Sequence, residues 1–146
     1  MTPPRGTPIA RLPRASKRDI LRTTFDGDTE SEILADIRKA LGREPDLVLW
    51  RLSQGGAMAR EGGQTYSAGL SVNGAADLIG ILSVDWDDNE VGMFFALEVK
   101  SARGKQSAAQ VLWGNLVRKM GGFYAVVRSV EEARDALERA RLGKSE

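Results

Sequence analysis

The segment Phe123-Tyr-Ala-Val-Val127 is an apolar run without alternation, set between two stretches of helical periodicity. A strand reads this way when both of its faces are covered. The flanking segments agree. Ser107 is positioned to cap a helix over 108–120, with Val111, Leu112, Leu116 and Met120 expected on its inner face, and Gly121-Gly122 ends it. Ser129 is positioned to cap a last helix from Val130 to about Leu142.

Earlier in the chain, Asp28 or Thr29 can cap a helix over 29–41, in which Ile33, Ile37, Ala40 and Leu41 recur on one face. Glu30 and Glu32 fall in its first turn, where the helix dipole favours acids, and Gly42 stops it. Asp46–Leu52 reads as a short buried strand. Asp77–Val84 and Met93–Lys100 read as an antiparallel hairpin around the polar turn Asp85–Glu90. Between them, Ser53–Ala76 holds six glycines in 24 residues and reads as a long loop or an irregular hairpin. The expected architecture is α/β, one mixed central sheet flanked by helices.

Composition narrows the chemistry. The 146 residues include no cysteine and no histidine, which removes thiolate metal sites, disulfides, cysteine nucleophiles, Ser–His–Asp triads and imidazole acid–base steps. Catalysis must then use carboxylates, lysine, hydroxyls or a hard cation on oxygen ligands. No apolar run is long enough to span a membrane and no secretory h-region is present, so a cytoplasmic setting is expected, with no membrane partner. Residues 1–22 form a basic, proline-rich arm. They carry four of the five prolines and a net charge of +5, leaving −4 on residues 23–146, which are read as one domain. Such an arm is a solvated tail or a strip that follows a phosphate backbone.

Two strands end in residues that a core would not choose. Glu98 and Lys100 are two apart in a strand and share a face, with Leu97 and Val99 on the other. Counting about the turn near residue 88 places Asp77 opposite Val99 or Lys100. Two carboxylates and a lysine meeting there can hold a Mg2+ ion, aided by a main-chain carbonyl such as that of Val99, and stabilise phosphoryl transfer. An acid, an acid and a lysine at strand ends can equally be a solvated ion pair.

The ordered set Gly74-Ala-Ala-Asp77, Glu98-Val-Lys100-Ser101, Gly104-Lys105-Gln-Ser107-Ala-Ala-Gln110, Gly121-Gly122-Phe123 and Arg128-Ser129 resembles the VRR-NUC domain. That family is the virus-type replication-repair nuclease branch of the PD-(D/E)XK superfamily, and the resemblance spans about residues 29–139. It implies a restriction-endonuclease-like core and a Mg2+-dependent DNA endonuclease, with Mn2+ as a substitute ion. In that pattern Asp77, Glu98 and the Val99 carbonyl hold the metal, Lys100 is the catalytic lysine, and Gln110 supports the lysine or the attacking water. The family's helix acid falls on Glu30 or Glu32. Glu30 is preferred because it shares a face with Ile33 and Ile37, whereas Glu32 lies about 200° round the helix.

Arg51, Lys105 and Ser107 are the candidate DNA contacts, although strand-end charge and helix capping account for them equally. Single-domain relatives imply a homodimer acting on branched or four-way DNA, in a bacterial or phage-encoded setting. A flap, nicking or exonuclease preference competes with this within the class, and a catalytically silent nucleic-acid-binding module or a structural subunit competes from outside it.

Overall fold

The computed structural model describes residues 28–52, 57–61, 64–68 and 73–143. The arm at 1–22 lies outside the described residues, as do parts of the glycine-rich stretch. Three hydroxyl residues open the helices. Thr29, Ser107 and Ser129 stand in extended backbone, and each side chain accepts the N–H of the residue three further on. They start α1 (Glu30–Leu41), α2 (Ala108–Lys119) and α3 (Val130–Arg141). In α1 and α2 the third residue returns the bond, so Glu32 and Gln110 complete capping boxes.

Six strands accompany them: β1 (Leu47–Arg51), β2 (Ala57–Glu61), β3 (Gln64–Ala68), β4 (Leu78–Trp86), β5 (Asn89–Val99) and β6 (Phe123–Val127). Four form one sheet in the order β1-β4-β5-β6, and β2 and β3 form a separate antiparallel pair within the glycine-rich stretch. β1, β4 and β5 run antiparallel, whereas β6 pairs parallel to β5. A parallel neighbour requires a crossover, which α2 supplies. The chain is thus α/β with a mixed sheet flanked by helices, an arrangement compatible with a restriction-endonuclease-like core.

The period of two decides what each face of the sheet buries. Leu47, Leu78, Leu82, Phe95, Leu97, Val99, Phe123, Ala125 and Val127 join the inner residues of α1 and α3 in one cluster. Phe95 and Phe123 stack there with centroids 5.3 Å apart. Ile33, Ile37 and Leu41 are almost fully enclosed, each contributing about 1.5–3 kcal/mol by burial. The opposite face gives a smaller cluster of Ala76, Ala96, Val117 and Tyr124, with Trp113 packed against it.

Three expectations need correction. The strand read as buried at 46–52 is fully buried only at Leu47, since Val48, Trp50 and Arg51 are exposed. The hairpin turns at Asp87-Asp88, both in the left-handed region, so Trp86 pairs with Asn89 and Leu78 with Leu97. Continuing that register brings Asp77 level with Glu98, not with Val99 or Lys100.

The inner face of α2 is also different. Val111, Leu112, Leu116 and Met120 are exposed, the last three at 70%, 55% and 78%. The buried residues are Gly114 and Val117. Gly114 lies against the Tyr124 ring, and a Cβ there would stand 2.4 Å from the nearest ring carbon. The missing side chain lets the helix approach the sheet, and that contact sets the rotation of the whole helix.

Candidate active site

The site forms where β4 begins and β5 ends. Gly74, with φ +82, introduces the approach to β4; a Cβ on it would fall 2.3 Å from the Ala109 carbonyl oxygen, so only glycine fits against the start of α2. The chain then passes through the buried Ala75 and Ala76 to Asp77. Asp77 Oδ2 accepts the Val99 N–H at 2.8 Å, which ties the carboxylate across to β5. The Asp77 carbonyl accepts the Leu52 N–H at 2.8 Å and so fixes the same residue to the end of β1.

Glu98 is 1% exposed. Its Oε1 accepts Gln110 Nε2 at 2.5 Å and lies 3.4 Å from Lys100 Nζ. Its Oε2 is buried without a hydrogen-bond partner. Burial pushes the Glu98 carboxyl up to about 7, and the adjacent Asp77 charge adds to the rise while Lys100 opposes it. The Asp77 carboxyl is also raised, again chiefly by burial, with the Val99 N–H acting against the shift. The Asp77 charge close by thus disfavours ionisation of Glu98.

Lys100, 9% exposed, reaches both acids of its neighbourhood. Its Nζ is 3.4 Å from Glu98 Oε1 and 3.7 Å from Glu30 Oε1. Of the two acids in the first turn of α1, Glu30 therefore faces the site. Glu32 turns back to Thr29, where its Oε2 accepts the main-chain N–H at 2.8 Å. A cleft of about 560 Å3 opens beside this pair, lined by Glu30, Ser31, Ser101 and Arg103 among others.

Gln110 acts on Glu98. Its Oε1 accepts the Ser107 N–H at 2.8 Å while its Nε2 holds the acid, so one amide both caps α2 and aims the carboxylate. The support expected of Gln110 thus goes to Glu98, the acid that itself contacts Lys100. Ser107 is engaged as the α2 cap. Lys105 is exposed in the loop before that helix. Arg51 is exposed at the end of β1, and it shares strand parity with Leu47 and Leu49, which places it on the α1 face of the sheet. Glu30, Glu98, Lys100 and Gln110 are linked by direct side-chain contacts, Asp77 is tied in through the Val99 N–H, and Ser107 bonds Gln110, while Arg51 and Lys105 lie exposed on adjoining segments.

Sequence reasoning assigned no role to Tyr124, whose hydroxyl accepts Gln106 Nε2 at 2.8 Å beneath α2. Burial, with the Glu98 charge second, pushes this phenol up to about 12, so it stays neutral. Nor did sequence give a task to Arg128, which bonds two main-chain carbonyls in the loop after Lys100. Main-chain partners leave no signature in a side-chain pattern.

The donor set suits a divalent cation. A buried carboxylate with one unpartnered oxygen, beside a second carboxylate and at a raised pKa, gains most from a nearby positive charge. Among the described residues no group of three or more His, Cys, Asp or Glu side chains gathers at metal-ligand spacing. Mg2+ needs only one or two carboxylates, because it keeps several waters.

Comparison with known protein families, with curated proteins and with solved structures finds no match.

Proposed function

We propose that this chain is a Mg2+-dependent, structure-selective DNA endonuclease, with Mn2+ able to substitute. One observation carries the reading: Asp77, Glu98, Lys100 and Gln110 converge at one end of the sheet around a carboxylate that is 1% exposed and has a free oxygen. A core has no use for that arrangement, whereas phosphodiester hydrolysis does. The resemblance of the same residues to the VRR-NUC pattern supports it.

Asp77 and Glu98 would hold the cation, with the Val99 carbonyl as a third ligand. The bound ion would supply Lewis acidity, easing ionisation of water and offsetting charge on the phosphoryl oxygens. The chain's own residues do the positioning. Asp77 is fixed by the Val99 N–H, and Glu98 by Gln110. Lys100, desolvated and held between Glu98 and Glu30, orients the attacking water and balances charge that grows on the phosphorus oxygens. The water oxygen bonds to phosphorus as the bond to the opposite sugar oxygen breaks in line; the water gives up a proton, and the departing oxygen takes one from solvent to leave as a hydroxyl. Lys105, Arg51 and the 1–22 arm are the proposed DNA contacts.

The proposed assembly is a homodimer on branched or four-way DNA, whose two-fold symmetry suits two identical sites. Support comes from exposed apolar surface. Val48, Ile81 and Phe94 form one cross-strand row on the sheet, all exposed, and Leu112, Leu116 and Met120 form a ridge on α2. Contiguous surface of this kind marks an interaction site more often than a solvated one. No helix among the described residues is long and apolar enough to cross a membrane. A cytoplasmic setting, bacterial or phage-encoded, is proposed with the nuclease.

Cleavage of duplex, flap, splayed and four-way DNA with Mg2+, Mn2+ or EDTA tests the reading. Metal-dependent cutting of branched DNA is expected. DNA binding without cutting would replace it with a silent binding module, and preferential flap or end trimming would replace junction resolution.

A further inference from the structure

We propose that Arg128 is a positioning residue that holds Lys100 in place by clamping the Ser101–Gly104 turn. Arg128 Nη1 donates to the Ser101 carbonyl at 2.5 Å and to the Gly104 carbonyl at 2.7 Å, so one nitrogen spans both ends of the turn. The turn is closed internally by the Gly104 N–H on the Ser101 carbonyl at 3.1 Å. Gly104 is packed directly over the site. A Cβ added to it would lie 3.0 Å from Glu30 Oε1, 3.1 Å from Ser101 Oγ and 3.4 Å from Lys100 Cδ. The turn is therefore the wall against which the Lys100 stem and the Glu30 carboxylate rest.

Arg128 is itself well anchored. It follows β6 directly, its main-chain N–H donates to Glu132 Oε2 at 2.8 Å, and the preceding Val127 carbonyl accepts the Lys100 N–H at 3.0 Å. The ends of β5 and β6 are thus joined twice, once through the backbone of Lys100 and once through the guanidinium. A guanidinium is suited to this task, because a single Nη carries two N–H donors in a fixed plane and can serve both carbonyls. Without it, the turn would lose both of these bonds, and the lysine ammonium would lose its fixed place between Glu98 and Glu30.

The catalytic consequence rests on the nuclease reading, so the test has one arm that does not. In the first arm, lysines are acetylated competitively with trace acetic anhydride and each site's rate is read by mass spectrometry. Arg128→Met and Gly104→Ala should each raise Lys100 labelling roughly tenfold, as local opening exposes it, with Lys39 unchanged. Arg128→Lys, which keeps a donor, should restore most of the protection. Unchanged Lys100 labelling in Arg128→Met would overturn the proposal whatever Gly104→Ala shows, and if that variant fails to fold, Arg128→Gln takes its place in the same measurement.

In the second arm, Arg128→Met should lower kcat roughly 10- to 100-fold at unchanged KM for DNA, the scale expected for a small misplacement. It should cost nothing further in a Lys100→Ala background. Equal losses in both backgrounds would mean that Arg128 acts on stability alone. If the wild-type chain cuts no DNA, the nuclease reading fails while the labelling arm still decides the clamp.

Discussion

Lys100 Nζ lies 3.4 Å from Glu98 Oε1, inside a site where that carboxylate is 1% exposed and its second oxygen has no partner. The pair is incomplete as it stands. One ammonium opposes two close carboxyl groups, and the excess acidity is what a cation would balance.

Lys100→Ala should reduce plasmid nicking by roughly 10²–10³-fold in saturating Mg2+, the usual cost of losing one aligned electrostatic group. Binding of the same DNA, read by fluorescence anisotropy, should change little. Wild-type cutting rates in the variant would remove the lysine from the reaction.

The raised Glu98 carboxyl makes stability depend on pH. Its folded pKa of about 7 stands above the ordinary value of 4.5, so between those limits the folded chain keeps a proton that the unfolded chain releases. Stability from this group falls as pH rises through that window, and the penalty is complete above about 7. In EDTA, Glu98→Gln should therefore raise Tm relative to wild type at pH 8 and leave it nearly unchanged at pH 4. Mg2+ at pH 8 should stabilise the wild type but not the variant. Parallel Tm curves for the two proteins across this range would refute the assignment.

Gly114→Val should destabilise the fold by about 1–3 kcal/mol, because the new side chain must enter the Tyr124 ring. Urea denaturation measures it. An unaltered midpoint would show that α2 can shift away from the sheet without loss.

Leu112→Glu with Leu116→Glu should leave the monomer's stability unaffected, since both side chains are exposed. Light scattering should nevertheless report a fall from about twice the 15.9 kDa chain mass to a single chain. A wild-type mass of 15.9 kDa would refute the dimer outright.

Much of this was legible in the chain because it is local. Thr29, Ser107 and Ser129 cap helices through residues three positions away, and the alternation in Leu97-Glu98-Val99 separates core from site within one strand. The choice of Glu30 over Glu32 also follows from the angle between neighbours on a helix. The apolar row on α2 misled for the same reason. Leu112, Leu116 and Met120 make a convincing face by hydropathy, and Gly114 makes none, yet the glycine is where Tyr124 fits. The level of Asp77 depended on which two residues form the turn, and counting about a midpoint misses that by one or two positions.

By itself, then, the sequence determined where the helices begin, which strand residues share a face, and which polar side chains belong to one constellation. These follow from backbone periods and capping bonds that span a few residues. Only the tertiary structure decided which side of α2 turns inward, that Gln110 holds Glu98, that Arg128 braces the turn after Lys100, and how far Glu98 is driven from its ordinary acidity. Those depend on close approach and desolvation by segments far apart along the chain, for which no short stretch of residues carries a signal.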